Sequence, residues 1–307
     1  MPKSRSRKPK KTASPGRAAG DPGLQAARRL AGARYQDAKN LVGTLLGSDR
    51  IPGESLVPML LPALWVLKSS ERGDPANACV DACMTLRYGY GQLGIRADLQ
   101  FVDLVVQDSA GRTVMHGNPQ PSWDGTELDG HCILWLPGSR RFVDPTVAQY
   151  PAVARLALGP VVGRVQAVTG PQGKVTAIAQ GQGAPPGTHF GMPRKDAMLL
   201  YTIAGEDAAA AAHSSPFFTR YAPEHRRTGI NLASYAIEAL RTPSAIQRAR
   251  TAPYPRLAAL LDAIGDSPSS TDSDGNWFFD LPAPGGGTQS LSLENTPVPR
   301  GTPPALP

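Results

Sequence analysis

The stretch "GHCILWLPGSRRFVDPT", from Gly130 to Thr146, constrains the fold of this chain more than any other. Two β-rich runs, "HCILWLP" and "RRFVDPT", flank a turn at "PGSR" (Pro137 to Arg140), which predicts a tight antiparallel hairpin. Side chains alternate along a strand. His131, Ile133 and Trp135 therefore share one face, and Cys132, Leu134 and Leu136 share the other. A two-residue loop at Pro137-Gly138 sets Asp144 directly opposite His131. A loop at Gly138-Ser139 sets Asp144 opposite Ile133, diagonal to His131. Either loop leaves His131 and Asp144 on one face and within reach, whereas an odd loop would part them.

A carboxylate beside an imidazole fixes its tautomer and supports its protonated form, an arrangement suited to a general base. Such a base needs a nucleophile, and Cys79 is the candidate. Cys79, Cys83, Leu86, Tyr90 and Leu93 fall at offsets 0, +4, +7, +11 and +14, which is one buried stripe of an α-helix. Asp74-Pro75 or Asn77 would start that helix and Gly94 would stop it. Cys79 then lies in the first turn, where the positive end of the helix dipole and a nearby imidazolium both favour a thiolate.

The rest of the chain frames this constellation. The opening "MPKSRSRKPKKTASPGRAAG" carries seven basic residues and no acidic one, so the remaining sequence is balanced, and the formal charge of +7 belongs to the arm. A nucleic-acid-binding fold would carry that charge on its body instead. The arm, residues 1–21, is expected to be disordered, and it lacks the apolar run of a secretory signal. Three cysteines are too few for a disulfide scaffold, so free thiols and a cytoplasmic setting are expected. The most apolar run, Leu56 to Leu67, holds two prolines and is too short to span a bilayer, so no membrane is expected as a partner.

Helices are expected at Leu24 to Gly47 and at Ser55 to Lys68, the latter bent at its prolines. Strands are expected at Leu99 to Asp108, Val161 to Val168, Lys174 to Gln180 and Ala197 to Ala204, and two further helices follow near Ile230 and Tyr254. Helices, then a mostly antiparallel sheet, then helices make an α+β pattern. One domain over residues 22–265 is expected. From Asp266 to Pro307, Ser, Asp, Gly, Pro and Thr dominate, and disorder is expected there.

The Cys79, His131 and Asp144 segments together resemble the transglutaminase-like branch of the papain-like cysteine enzymes. In that family a Cys opens a helix ending in Leu-Gly-Ile-x-Ala, and here "LGIRA" follows Cys79 with Gly94 at +15. The family His begins a strand bearing an aromatic residue, and here His131 leads "HCILW". The family Asp, often in Asp-Pro-Thr, follows a dozen or so residues on, and here "DPT" begins at +13 with Asp144. The resemblance spans Pro75 to Gln149, roughly a quarter of the chain. The Trp lies four positions after the His, where two is commoner, and the Arg-Gly-Gly-x-Cys of the arylamine acetyltransferases is replaced by "NAC".

The resemblance implies a helix bearing Cys79 packed on an antiparallel sheet bearing His131 and Asp144, with helical additions at both ends. It implies a peptidase, amidase or transamidase, hydrolase or acyltransferase, working without cofactor on a peptide or amide. Cys79 would form a thioester, His131 would shuttle protons and Asp144 would orient it. Trp123 either walls the acyl cleft or packs in the core, and Trp135 is the second candidate for the cleft wall. Two other classes stand beside this one: a catalytically silent binding module of the same fold, and a protein that uses its basic arm on nucleic acid or an acidic partner. A metal reading of Cys79, Cys83 and His131 lacks a fourth ligand, because Cys132 faces away from His131. Cys83 reads as core, and His116, His189, His213 and His225 read as surface or loop residues.

Overall fold

The computed structural model describes residues 22–72, 78–116, 122–123, 128–150, 153, 159–164, 187–194, 196–204 and 216–296. The basic arm, the expected strand at 174–180, His213 and residues 297–307 lie outside them. Three helices come first: α1 (Pro22–Gly47), α2 (Gly53–Arg72) and α3 (Cys79–Gln92). Nine strands follow: β1 (Asp98–Asp108), β2 (Thr113–His116), β3 (Ser122–Trp123), β4 (Leu128–Asp129), β5 (His131–Leu136), β6 (Arg141–Asp144), β7 (Val161–Arg164), β8 (His189–Arg194) and β9 (Ala197–Ile203). Helices α4 (Pro216–Leu240), α5 (Pro243–Arg250) and α6 (Pro255–Ile264) precede a last group, β10 (Ser269–Thr271), β11 (Trp277–Pro282) and β12 (Thr288–Leu291). The fold is thus α+β, and no described helix is long and apolar enough to cross a membrane.

Helix α2 continues through Pro58 and Pro62. A proline offers no N–H, so Pro62 leaves the carbonyl of Pro58 without its helical donor, and Pro58 does the same to Glu54. Tyrosine hydroxyls take both places. Tyr90 Oη donates to the Pro58 carbonyl at 2.6 Å, and Tyr254 Oη donates to the Glu54 carbonyl at 2.9 Å. The prolines therefore dock α2 onto α3 and onto the start of α6. The end of α1 is secured similarly, by Arg248 of α5 donating to the carbonyls of Leu45, Leu46 and Ile51.

The main sheet is antiparallel throughout, in the order β7-β6-β5-β1-β9-β8, with β2 pairing beside β5 along the same edge of β1. Its helix-facing side carries Leu99, Phe101, Cys132, Leu134, Leu136 and Val143, which join the core beneath α2, α3 and α4. Its other side carries Val102, Leu104, Ile133, Trp135, Phe142 and Tyr201, which form a second core. That second core is enclosed because the sheet curls until its ends nearly meet. The rings of Phe142 (β6) and Phe190 (β8) stand 4.5 Å apart although their strands are far apart in the order. A Cβ on Gly163 of β7 would overlap both the Phe142 ring and Met192 of β8, so only glycine lets the edges come together.

The region from Asp266 departs from the expectation of disorder. Residues 269–291 form a three-stranded sheet, β10-β11-β12, closed by a 3-10 turn at Leu293–Asn295. Phe279 and Leu293 are fully buried against the helical core. Polar composition averaged away two local signals: the aromatic run Trp277-Phe278-Phe279, and Asp272, whose Oδ1 accepts from the backbone of Asp274 and Asn276 to build the turn.

Candidate active site

Helix α3 begins at Cys79 itself. Its N-cap is Ala78, with no side-chain cap, and the expected caps at Asp74 and Asn77 lie outside the described residues. The first-turn N–H groups therefore surround Cys79 without intrahelical acceptors. Gly94, at φ +77°, ends the α3 turn where expected.

In the β5–β6 hairpin Leu134 pairs with Val143 and Leu136 with Arg141, a register that sets Asp144 opposite Ile133. This is the diagonal arrangement of the two derived from the loop. The turn is a single 3-10 segment, Pro137–Ser139, closed by Arg140 in the left-handed region. Across that diagonal His131 Nε2 meets Asp144 Oδ2 at 2.8 Å, with both side chains wholly buried.

Asp144 accepts two more hydrogen bonds. Tyr201 Oη of β9 donates to Oδ2 at 3.0 Å, and the Thr146 backbone N–H donates to Oδ1 at 3.1 Å. A buried carboxylate is stable only when its lone pairs are engaged in this way. The second imidazole nitrogen, Nδ1, is otherwise unpartnered. The Cys79 thiol is near enough to help raise the pKa of the same ring. One ring nitrogen is thus taken by the carboxylate, and the other, Nδ1, is left without a hydrogen-bond partner while the Cys79 thiol bears on the charge of the ring.

The electrostatics follow from this packing. Burial alone would push the His131 imidazolium down. The charge and hydrogen bond of Asp144, followed by those of Cys79, overcome that penalty and hold its pKa up at about 10. Burial, aided by the Asp144 charge, raises the Tyr201 phenol well above its ordinary value, so it stays a donor.

Cys83 and Cys132 are also free and buried. Cys83 Sγ donates to the Cys132 carbonyl at 3.4 Å, and burial raises its pKa well above that of a free thiol. Cys132 belongs to the helix-facing core, on the far side of β5 from His131.

Several expected roles change. Trp135, expected to wall the cleft, is 3% exposed in the inner core, with an unpartnered indole N–H, and has almost no surface for a ligand. Its strand face points into the curl of the sheet, not outward. Trp123 lies on β3, paired with Leu128, and its side chain is outside the described set. His189 is exposed, as expected, and bonds Thr202 Oγ1 at 2.8 Å.

His225 is not a surface residue. It is buried and meets Asp81 of the first α3 turn at 2.9 Å. This second His–carboxylate pair lines a groove of about 780 Å³ with Tyr221, Tyr235 and Trp277. No cysteine lines that groove, and the Asp81 side chain is 54% exposed. His116 is no free loop residue either: it stacks on Tyr150 at 4.2 Å, and Tyr150 sets its edge against His131 at 5.3 Å.

Tyr201, Tyr150 and His116 are thus the neighbours of the site that sequence reasoning missed. Only the alternation of β9, which puts Tyr201 on the inner face with Leu199 and Ile203, gave any signal. Comparison with protein-family models, with curated proteins and with solved structures finds no match to this chain.

Proposed function

We propose that this chain is a cysteine-dependent acyl-transfer enzyme of the papain-like, transglutaminase type, acting on a peptide or amide. The observation that carries the reading is the dry His131–Asp144 pair whose remaining ring nitrogen is left for the thiol at the start of α3. An imidazole held up at about pKa 10 is an imidazolium at neutral pH and stabilises a Cys79 thiolate beside it.

The thiolate attacks the carbonyl carbon of the substrate. The developing oxyanion takes hydrogen bonds from the α3 N-terminus, including the Cys79 N–H. His131 gives its proton to the departing amine, and the C–N bond breaks to leave a Cys79 thioester. Water or an acceptor amine then loses a proton to His131, attacks the thioester and releases the thiolate. Asp144 keeps its charge throughout and orients the ring. The groove at Asp81 and His225 lacks a thiol and does not serve this chemistry.

The test is alkylation of the folded protein by iodoacetamide across pH, with the label located by peptide mapping. Cys79 should label fastest near neutral pH; Cys79→Ala should abolish that phase, while Cys83→Ala and Cys132→Ala should leave it. Asp144→Asn should slow it between about pH 6 and 8 by roughly one to three decades, less than in a serine triad because a thiol needs less help to ionise. Profiles that superimpose on wild type would make the fold a silent binding module.

A further inference from the structure

The site is nearly closed. His131 is fully buried and Cys79 is 7% exposed, so little of the pair is open to a substrate carbonyl. Tyr150 makes a T-shaped ring contact with His131, and burial, followed by the charges of Asp144 and Cys79, holds its phenol neutral. Unlike them, it is only half-buried. It follows directly on the 3-10 turn Val147–Gln149, held by a 3.3 Å backbone bond to Val147. One face of its ring is covered by His116, the last residue of β2, whose preceding residues Thr113, Val114 and Met115 are all exposed.

His116, Tyr150 and His131 thus form a run of ring contacts that leads from two half-buried side chains to the fully buried imidazole. The other groups touching the pair are anchored. Asp144 has three partners, Tyr201 is wholly buried, and the backbone of β5 is fixed on β1.

Resting on the acyl-transfer reading, we propose that Tyr150 is the specificity-determining residue of the site. Its ring, backed by His116, is the wall an acyl group must displace, and it sets the size of acyl group that reaches Cys79. The class it admits is a slender, uncharged acyl chain able to lie along an aromatic ring, in place of a bulky or ionised one. An ionised group would lose its hydration against the face of an aromatic ring.

The experiment compares iodoacetamide with its fluorescein conjugate, two reagents with one warhead, as rates of Cys79 alkylation in the full chain. Tyr150→Ala should raise the ratio of conjugate to iodoacetamide rate by about tenfold or more, the scale on which a pocket wall discriminates by size. Tyr150→Phe, which keeps the ring, should leave the ratio at the wild-type value, and His116→Ala should raise it by less than Tyr150→Ala does. If Tyr150→Ala does not fold, Tyr150→Val and His116→Ala carry the same comparison. An unchanged ratio in these variants, with the neutral-pH reactivity of Cys79 intact, overturns this inference alone. A Cys79 that reacts as an ordinary thiol in every variant, with a midpoint near 8.5, overturns the acyl-transfer reading and this inference with it.

Discussion

Asp144 has no exposed surface and three hydrogen-bond donors, and its effect should be visible in the stability of the protein as well as in its chemistry. His131 is raised from 6.5 to about 10 in the fold, so protonation favours the native state. That contribution is complete below about pH 6.5, declines as pH rises, and is lost above about pH 10. In Asp144→Asn the largest opposition to the burial penalty on the imidazolium is gone, and protonation favours the native state far less. The stability gap between wild type and Asp144→Asn, from urea denaturation, should therefore widen as pH falls from about 10 to about 6.5. A gap that is flat over this window would mean that the imidazole carries no extra proton in the native state. The pairing of His131 with Asp144 was legible because a hairpin is local and its strand parity is fixed by a few turn residues. Tyr201 was not: it bonds Asp144 across 57 residues of sequence, and the neighbours of β9 in the sheet are not written in its own residues.

At the scale of elements, two prolines inside a helix create a need that other elements meet. Helix α2 continues past Pro58 and Pro62, and tyrosines from elsewhere supply the two donors that the prolines remove. Removing such a donor should leave a buried carbonyl unsatisfied. Tyr90→Phe should cost about 1–3 kcal/mol in urea unfolding, because Tyr90 is wholly enclosed. Tyr254→Phe should cost less, because Glu54 is partly exposed and solvent can reach that end of α2. Equal and negligible costs would show that the helix does not depend on these hydroxyls. Five strands of the central sheet and the stop of α3 were legible from β-branched runs and apolar spacing, while the short β2 and the Gly- and Pro-containing β8 were not. The β10–β12 sheet was not, since its order rests on a few aromatic side chains reaching the helical core within a polar stretch.

At the scale of the whole molecule, the α+β class could be read from the succession of patterns, but the curl of the sheet could not. It depends on Gly163 letting β7 approach β8, a contact between segments that no local pattern links. The curl separates two cores, one under the helices and one inside the sheet, and the candidate site lies where α3 meets their boundary. That position insulates its charges. Dissolved ions weaken interactions that water can reach, such as the exposed Arg112–Asp108 pair, but they cannot enter the space between His131 and Asp144. The pH midpoint of Cys79 alkylation should hold still between dilute buffer and about 1 M salt, where the screening length has shrunk to about 3 Å. A midpoint that drifts with salt would place the pair in contact with bulk water. By this logic the reactivity of the thiol is set inside the protein, largely independent of the ionic strength around it.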